Sequence, residues 1–410
     1  MNNDFLPIIL GSDENAYGMA RLFFDKYNIK PLLLCSKQLV CTMHSKILDV
    51  CVFPDFDKEE IFIKSLLEIA SKKKKEYKKL VIIPCSDGYS LLCVKHQENL
   101  KNIFVNSFIS KEMFDQFSTK DMFYKLCDDY NLNYPKTVIC TKEERLNVFE
   151  NSNLKFPVVV KANNSNSYSY LHCDFKGKSK VYFFDNIGEY LEVVNEMNKS
   201  DYDDNLIIQE FIPGDDTNMR VINCYSDKNG KVKFMAVGQP ILEEYTPYAI
   251  GNYASIISIQ NQELCDMIKS FLEKIGYVGF SNFDLKFDSR DNSYKLFEIN
   301  PRQGRSSFFV ASAGYNLAEI MINDLVYNQD NEIIIAKNTA LWSTVPKAIL
   351  KKYISNQEIL KKVSALIKQK KLCFTLLYKK DFSIIRYAKI IKYYSRHFAN
   401  YKKYYFKKDK

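Results

Sequence analysis

GFSNFDLKFD (279–288) and YKLFEINPR (294–302) flank the short polar turn SRDN. Alternation with a period of two marks a strand, and two such runs around a turn predict an antiparallel hairpin. On the first run Phe280, Asn282, Asp284 and Lys286 share one face, and Ser281, Phe283, Leu285 and Phe287 the other. On the second, Leu296, Glu298 and Asn300 share a face against Phe297 and Ile299. A turn centred near Asp291 sets Asp284 opposite Glu298 and Asn282 opposite Asn300. Like charges directly opposed across strands repel. Two carboxylates and an amide oxygen on one face suit a hard cation such as Mg²⁺; a solvent-facing acidic strand is the other reading.

Upstream, short apolar runs alternate with helical patterns. LPIIL (6–10), KPLLLCS (30–36) and KLVIIPCSDG (79–88) read as buried strands, with helices through Arg21–Tyr27 and Ile61–Ala70 between them. That alternation predicts a parallel α/β unit over residues 1–115. Ligands of such units collect beyond the carboxyl ends of the strands. Gly11-Ser12-Asp13 and Ser86-Asp87-Gly88 occupy that place, without a full GxGxxG fingerprint. Next, Ser118 with Asp121 three residues on predicts a helix N-terminus. Met122, Phe123, Leu126, Cys127 and Tyr130 follow on one face, and Asn131 and Pro135 end the helix. Lys120 sits in its first turn, where the helix dipole disfavours a cation and a nearby anion would compensate. FPVVVKA (156–162) and LIIQEFIPGDD (206–216) are β-rich runs, each carrying one charge where apolar residues should continue. An inward Lys161 or Glu210 is costly unless it has a partner; the alternative is an edge strand.

Charge is unevenly spread over the 410 residues. Residues 346–410 hold 19 Lys and Arg against 3 Asp and Glu, a net +16, while the first 345 carry a net −7. The tail also carries many aromatics (KYYSRHFANYKKYYFKK). It is expected to be a largely helical extension over 331–410, lying on an anionic membrane surface, on RNA, or free in solvent as a plain appendage. The run at Lys72–Lys75 reads as the exposed end of a helix. Eleven scattered cysteines without a CxxC pair, and four dispersed histidines, suggest reduced thiols and no zinc site. No apolar run approaches the length of a membrane span, and MNNDFLPIILG carries an acid where a secretory leader would be positive. A cytoplasmic protein, at most touching the inner face of the membrane, is expected.

Taken in order, TKDMFYKL, FPVVVKA, LIIQEFIPGDD, FSNFDLKFD and FEINPRQGRSS resemble the motifs of an ATP-grasp carboxylate–amine ligase. The resemblance covers about residues 116–330, and the upstream unit resembles the Rossmann-like pre-ATP-grasp domain. GSDENAYGMA, PCSDGY and NPRQGRSSFFVASAGYNLA look most like the D-aspartate ligase branch, whose members build peptidoglycan cross-bridges. The implied fold is an α/β domain followed by an α+β ATP-grasp pair with a nucleotide cleft between its halves. Lys120 and Lys161 would then contact ATP phosphates. Gln209, Glu210 and the backbone of Ile212 would hold the adenine, and Asp216 the ribose. Asp284, Glu298 and Asn300 would bind Mg²⁺, two ions in the family, with Mn²⁺ a substitute. Arg302 would stabilise charge during transfer, and Arg305, Gly11, Ser12 and Asp87 would line the substrate site. The implied partners are an amino acid, aspartate first, and an amine acceptor such as a UDP-linked muramyl pentapeptide; a ligase joining another amino acid to a peptide or glycan, and an inactive nucleotide-binding module docked on a membrane, are the other readings. No specific nucleic acid is implied. Two features depart from the family. The loop after Lys161, ANNSNSYSY, lacks the usual glycines, and Asn282 stands where some relatives have Arg.

Overall fold

The computed structural model describes residues 3–164 and 168–406, apart from the Tyr168 side chain. Three sheets carry the fold. The first is parallel, in the order Asp49–Val52, Leu32–Cys35, Phe5–Leu10, Lys79–Pro84. Phe5–Leu10 is buried along its whole length, as a strand covered by helices on both faces must be. The helix Glu14–Tyr27 follows it, capped by the Asp13 carboxylate accepting from the Ala16 amide at 3.0 Å. Lys72–Lys75 lies at the C-terminal end of the helix Glu59–Lys73.

The second sheet is small and antiparallel, in the order Thr137–Cys140, Leu206–Glu210, Val158–Ala162, Tyr182–Phe184. The third has eight strands. The hairpin Gly279–Asp288/Ser293–Asn300 forms one edge, followed by Met219–Ser226, Val232–Glu243, Tyr253–Ile259, Leu341–Ser343 and Leu372–Cys373. Ile334–Ile335 pairs with the start of Val232–Glu243. Strands from beyond residue 330 are thus part of the central sheet, and Trp342 is buried between it and the N-terminal unit. The last helix, Ile384–Tyr404, packs Ile390, Tyr394 and Tyr401 inward.

The hairpin register is as expected at its far end: Asp284 faces Glu298, and Asn282 faces Asn300. The turn is tighter than expected, pairing Asp288 with Ser293, and a bulge at Phe297 takes up the difference. An extra residue reverses the facing of what precedes it. Leu296 therefore joins Ile299 in the core, while Phe297 turns with Glu298 towards the cleft. The helix near residue 120 also begins one residue late. Thr119, not Ser118, is its N-cap, and the helix spans Lys120–Asp129. Ser118 closes the preceding helix, its hydroxyl donating to the Asp115 carbonyl. Met122 is exposed and Tyr124 takes its place in the core.

Candidate active site

A cleft of about 640 Å³ separates the small sheet from the central sheet, and the hinge Phe211–Asp216 closes one side. Side chains reach it because each strand alternates. On Val158–Ala162, Val158 and Val160 are buried beneath the small sheet while Val159 and Lys161 line the cleft. On the neighbouring strand Gln209, paired with Val159, faces the same way. Gln209 is fully buried. Its Nε2 donates to Tyr124 Oη and Thr137 Oγ1, both at 2.8 Å, and its Oε1 accepts from Lys161 Nζ at 3.3 Å. Lys161 Nζ also sits 4.6 Å above the Phe297 ring.

The electrostatics are concentrated. Lys120, Lys161 and Lys180 all act on Glu298, and Lys120 Nζ lies 3.9 Å from Glu298 Oε2. Burial alone would push the Glu298 carboxyl up, yet the three lysines hold it below its ordinary range. Burial lowers Lys161 to about 8, helped by the neighbouring Lys120 charge. Burial, then repulsion from Glu298, raises Asp284, against the hydrogen bond donated by Tyr253 Oη at 2.8 Å. Asp284 is thus held neutral beside an ionised Glu298. Asn300 Nδ2 lies 3.4 Å from Glu298 Oε1. Two converging oxygen groups, one kept protonated for want of positive charge, fit a hard divalent cation. The cluster of three lysines fits a polyanion.

At the hinge, Lys286 Nζ donates to the carbonyls of Ile212 and Gly214 at 2.7 and 2.8 Å. The Ile212 amide donates to no acceptor among the described residues, although Ile212 is buried. Glu210 accepts from Lys136 Nζ at 3.2 Å and the Lys155 amide at 3.3 Å. Asp216 is buried and accepts from the Glu243 amide at 2.9 Å and Tyr245 Oη at 2.8 Å.

Past the metal-type ligands the chain turns at Pro301. Gly304 is required there, since a Cβ would come within 2.7 Å of Asn282. Arg302 Nε donates to Asp87 Oδ1 at 2.6 Å, and Asp87 opens the helix Asp87–Lys95 of the N-terminal unit. Arg305 faces the cleft without a hydrogen bond among the described residues. Burial opposes its charge, but Glu244 and Glu14 more than offset that and raise it.

No protein-family model matches the chain. Over its whole length it is 40% identical to the D-aspartate ligase of Enterococcus faecium (strain Aus0004), covering 98% of that protein. The chain belongs to the D-aspartate ligase family. Among solved structures it resembles the L-amino acid ligase of Bacillus licheniformis, with a TM-score of 0.54 and 16% identity over 79% of this chain and 75% of that one. It also resembles the ADP complex of N5-carboxyaminoimidazole synthetase from Staphylococcus aureus, with a TM-score of 0.57 and 12% identity over 83% of each chain. The fold is the ATP-grasp fold of ATP-dependent ligases.

Lys120, Lys161, Gln209, Glu210, Ile212, Asp216, Asp284, Glu298, Asn300, Arg302, Arg305 and Asp87 all line the one cleft. Gly11 and Ser12 do not. Ser12 is buried, with its hydroxyl 2.6 Å from Thr42 Oγ1 and accepting from the Leu39 amide. It builds the loop after the second strand rather than the cleft wall. Asp87 is also tied to Arg302, which makes it a brace for that guanidinium. Of the loop after Lys161, Ser165–Ser167 lie outside the described residues. Sequence reasoning missed Lys180, Tyr253 and the role of Lys286. Lys286 was readable, as the cation on the face of Asn282 and Asp284. Lys180 carries no local signal, since one more lysine in a polar stretch is unremarked until the fold brings it over.

Proposed function

We propose that the protein is an ATP-dependent ligase that activates a carboxylate of D-aspartate and joins it to an amine, the side-chain amine of a lysine in a peptidoglycan precursor such as a UDP-linked muramyl pentapeptide. The observation that carries the reading is the meeting of Lys120, Lys161 and Lys180 with Asp284, Glu298 and Asn300 in one cleft, beside a hinge amide without an acceptor among the described residues. The 40% relative, named as a D-aspartate ligase, supports the choice of amino acid.

The Ile212 amide would donate to the adenine, and the lysines would hold the triphosphate. A bound polyanion would favour the ammonium form of Lys161 and raise it back towards its ordinary range. Asp284, Glu298 and Asn300 would hold Mg²⁺, whose contribution when bound is to neutralise phosphate charge. A carboxylate oxygen of the amino acid attacks the γ-phosphorus and ADP leaves, giving an acyl phosphate. The amine nitrogen then attacks the acyl carbon, phosphate departs with the C–O bond's electrons, and the nitrogen releases a proton to solvent. Arg302, fixed by Asp87, would meet the oxygens on which charge develops. Arg305, which makes no hydrogen bond among the described residues, would meet the carboxylate that is not activated, which favours a diacid.

Phosphate release measured with ATP, Mg²⁺ and a panel of L- and D-amino acids, with and without muramyl pentapeptide, tests this. D-Aspartate should drive release, and the acceptor should increase it. Release driven by a different amino acid would overturn the substrate. No release with any amino acid would overturn the ligase reading.

A further inference from the structure

The last helix, Ile384–Tyr404, has two unlike faces. Its inner face carries Arg386, Ile390, Tyr394, His397 and Tyr401, all buried. Its outer face carries large aliphatic and aromatic groups in water: Ile384 is 79% exposed, Ile385 60%, Ile391 61% and Phe398 47%. Phe382, just before the helix, is 52% exposed. At 100° per residue Ile384, Ala388, Ile391, Ser395 and Phe398 form one stripe along the outer side. Lys389, Lys392, Arg396 and Lys403 are exposed along one flank of that stripe, and Lys402 continues it at the C-terminal end. The helix contains no Asp or Glu. A contiguous apolar surface of this kind marks a contact surface.

We propose that this outer face docks on an anionic lipid bilayer, with the helix lying in the interface. Exposed isoleucine and phenylalanine beside a row of cations is the composition of a membrane-surface helix, whose apolar side enters the headgroup region while the basic side meets lipid phosphates. Among the described residues no helix is long and apolar enough to cross a membrane, so the contact is peripheral. A second copy of the chain fits poorly, because a two-fold pairing of this face would set its lysines against each other. Single-stranded RNA needs stacking rings, yet Tyr394 and Tyr401 are buried, and the exposed groups are mostly aliphatic. The helix is also tied to the cleft: Phe406, just past its end, packs 6.0 Å from the ring of Phe183, which lines the cleft. A docked helix would hold the cleft beside the bilayer surface.

Co-sedimentation of the full chain with vesicles of phosphatidylcholine, alone or mixed with phosphatidylglycerol, tests the proposal. The chain should pellet with the mixed vesicles and not with phosphatidylcholine alone, and high salt should release it. Ile384→Ser/Ile391→Ser/Phe398→Ser and Lys389→Glu/Lys392→Glu/Lys403→Glu should each weaken binding by at least about tenfold. Ile391→Trp gives a readout independent of those multiple changes. The chain's single tryptophan, Trp342, is buried, so a new emission that shifts to the blue with mixed vesicles reports insertion. No binding to mixed vesicles, or no blue shift, overturns the proposal. So does binding that survives the serine changes, the mark of a bare polyanion site such as one for RNA. A dimer that the serine changes disperse would assign the face to a second copy instead.

Discussion

Asp284 and Glu298 face each other across the hairpin, and their different surroundings set different consequences for removing each one. Asp284 is held neutral by burial and by Glu298, so Asp284→Asn replaces one uncharged group by another and leaves the resting fold intact. Glu298 is ionised and balances Lys120, Lys180 and Lys161. Glu298→Gln leaves those cations unopposed, and because the Glu298 side chain is partly open to solvent this should cost the apo protein up to about 1 kcal/mol. Both variants should lose all but roughly a hundredth of the phosphate-release activity, since the cation-binding carboxylates are gone. The melting temperature should separate them, unchanged or raised for Asp284→Asn and lowered for Glu298→Gln. Equal melting temperatures would mean the lysines are not balanced by Glu298. Behind Arg305 lies a second group held off its ordinary behaviour. Burial raises Glu14 from 4.5 to about 7, against the pull of Arg305. Between those values the folded chain keeps a proton that the unfolded chain has released, so this stability is present below pH 4.5 and lost as the pH rises through 7. Glu14→Gln removes that dependence. The variant should match the parent near pH 4 and exceed it at pH 8 by up to about 3 kcal/mol, read from melting temperature against pH. His397 works in the opposite sense, burial lowering it from 6.5 to about 4, so acid between those values destabilises both proteins alike. A Glu14→Gln curve parallel to the parent's at all pH values would show that folding leaves the Glu14 carboxyl in its ordinary range.

Among the elements, the hinge strand and the hairpin hold the cleft in shape together. Lys286 reaches from the hairpin to the carbonyls of Ile212 and Gly214 and stacks 4.6 Å over the Phe211 ring. Lys286→Met keeps the stem and loses the clasp. The hinge should then no longer hold the Ile212 amide in place, raising the KM for ATP by about tenfold while kcat changes less. Steady-state kinetics at varied ATP checks this, and an unchanged KM would remove Lys286 from the nucleotide site. The hairpin also shows what a sequence reveals and what it conceals. Strict alternation places Asp284, Glu298, Asn282 and Asn300 correctly, because a slip of one residue would turn Phe283 and Ile299 to the cleft and the acids into the apolar core. The bulge at Phe297 leaves no mark in composition, since any residue can occupy it, and so the outward turn of Phe297 and the inward turn of Leu296 were not foreseen. The same holds at the helix start, where Ser118 and Thr119 are both good caps and only the preceding helix, ending at Ser118, decides between them.

For the molecule as a whole, the alternation of strands and helices in the first hundred residues made the parallel sheet legible, and the order of charged residues on strands made the cleft legible. The C-terminal strands were not. Leu341–Ser343 and Leu372–Cys373 have three and two residues, too few for a period to show, and their place in the central sheet follows from tertiary pairing alone. What binds this end to the N-terminal unit is a buried polar node. Asp381, fully buried, accepts from Tyr17 Oη and Ser45 Oγ, both at 2.8 Å, and from the Lys46 amide at 2.6 Å. Arg386 Nε lies 2.9 Å from its Oδ2, and the rest of that guanidinium donates to the carbonyls of Met43 and Cys41 at 2.9 and 3.0 Å. The arginine also sits 4.4 Å over the Tyr17 ring. Removing one partner of a buried pair leaves the other charge uncompensated, whereas removing both need not. Asp381→Ala should therefore destabilise the protein by about 3–5 kcal/mol, and Arg386→Met by a comparable amount. The double variant should cost clearly less than the sum of the two, because each change relieves the charge that the other exposes. Denaturant unfolding of the three variants decides the matter. Additive losses would show that the carbonyl and hydroxyl contacts, not the ion pair, join the C-terminal segment to the first sheet.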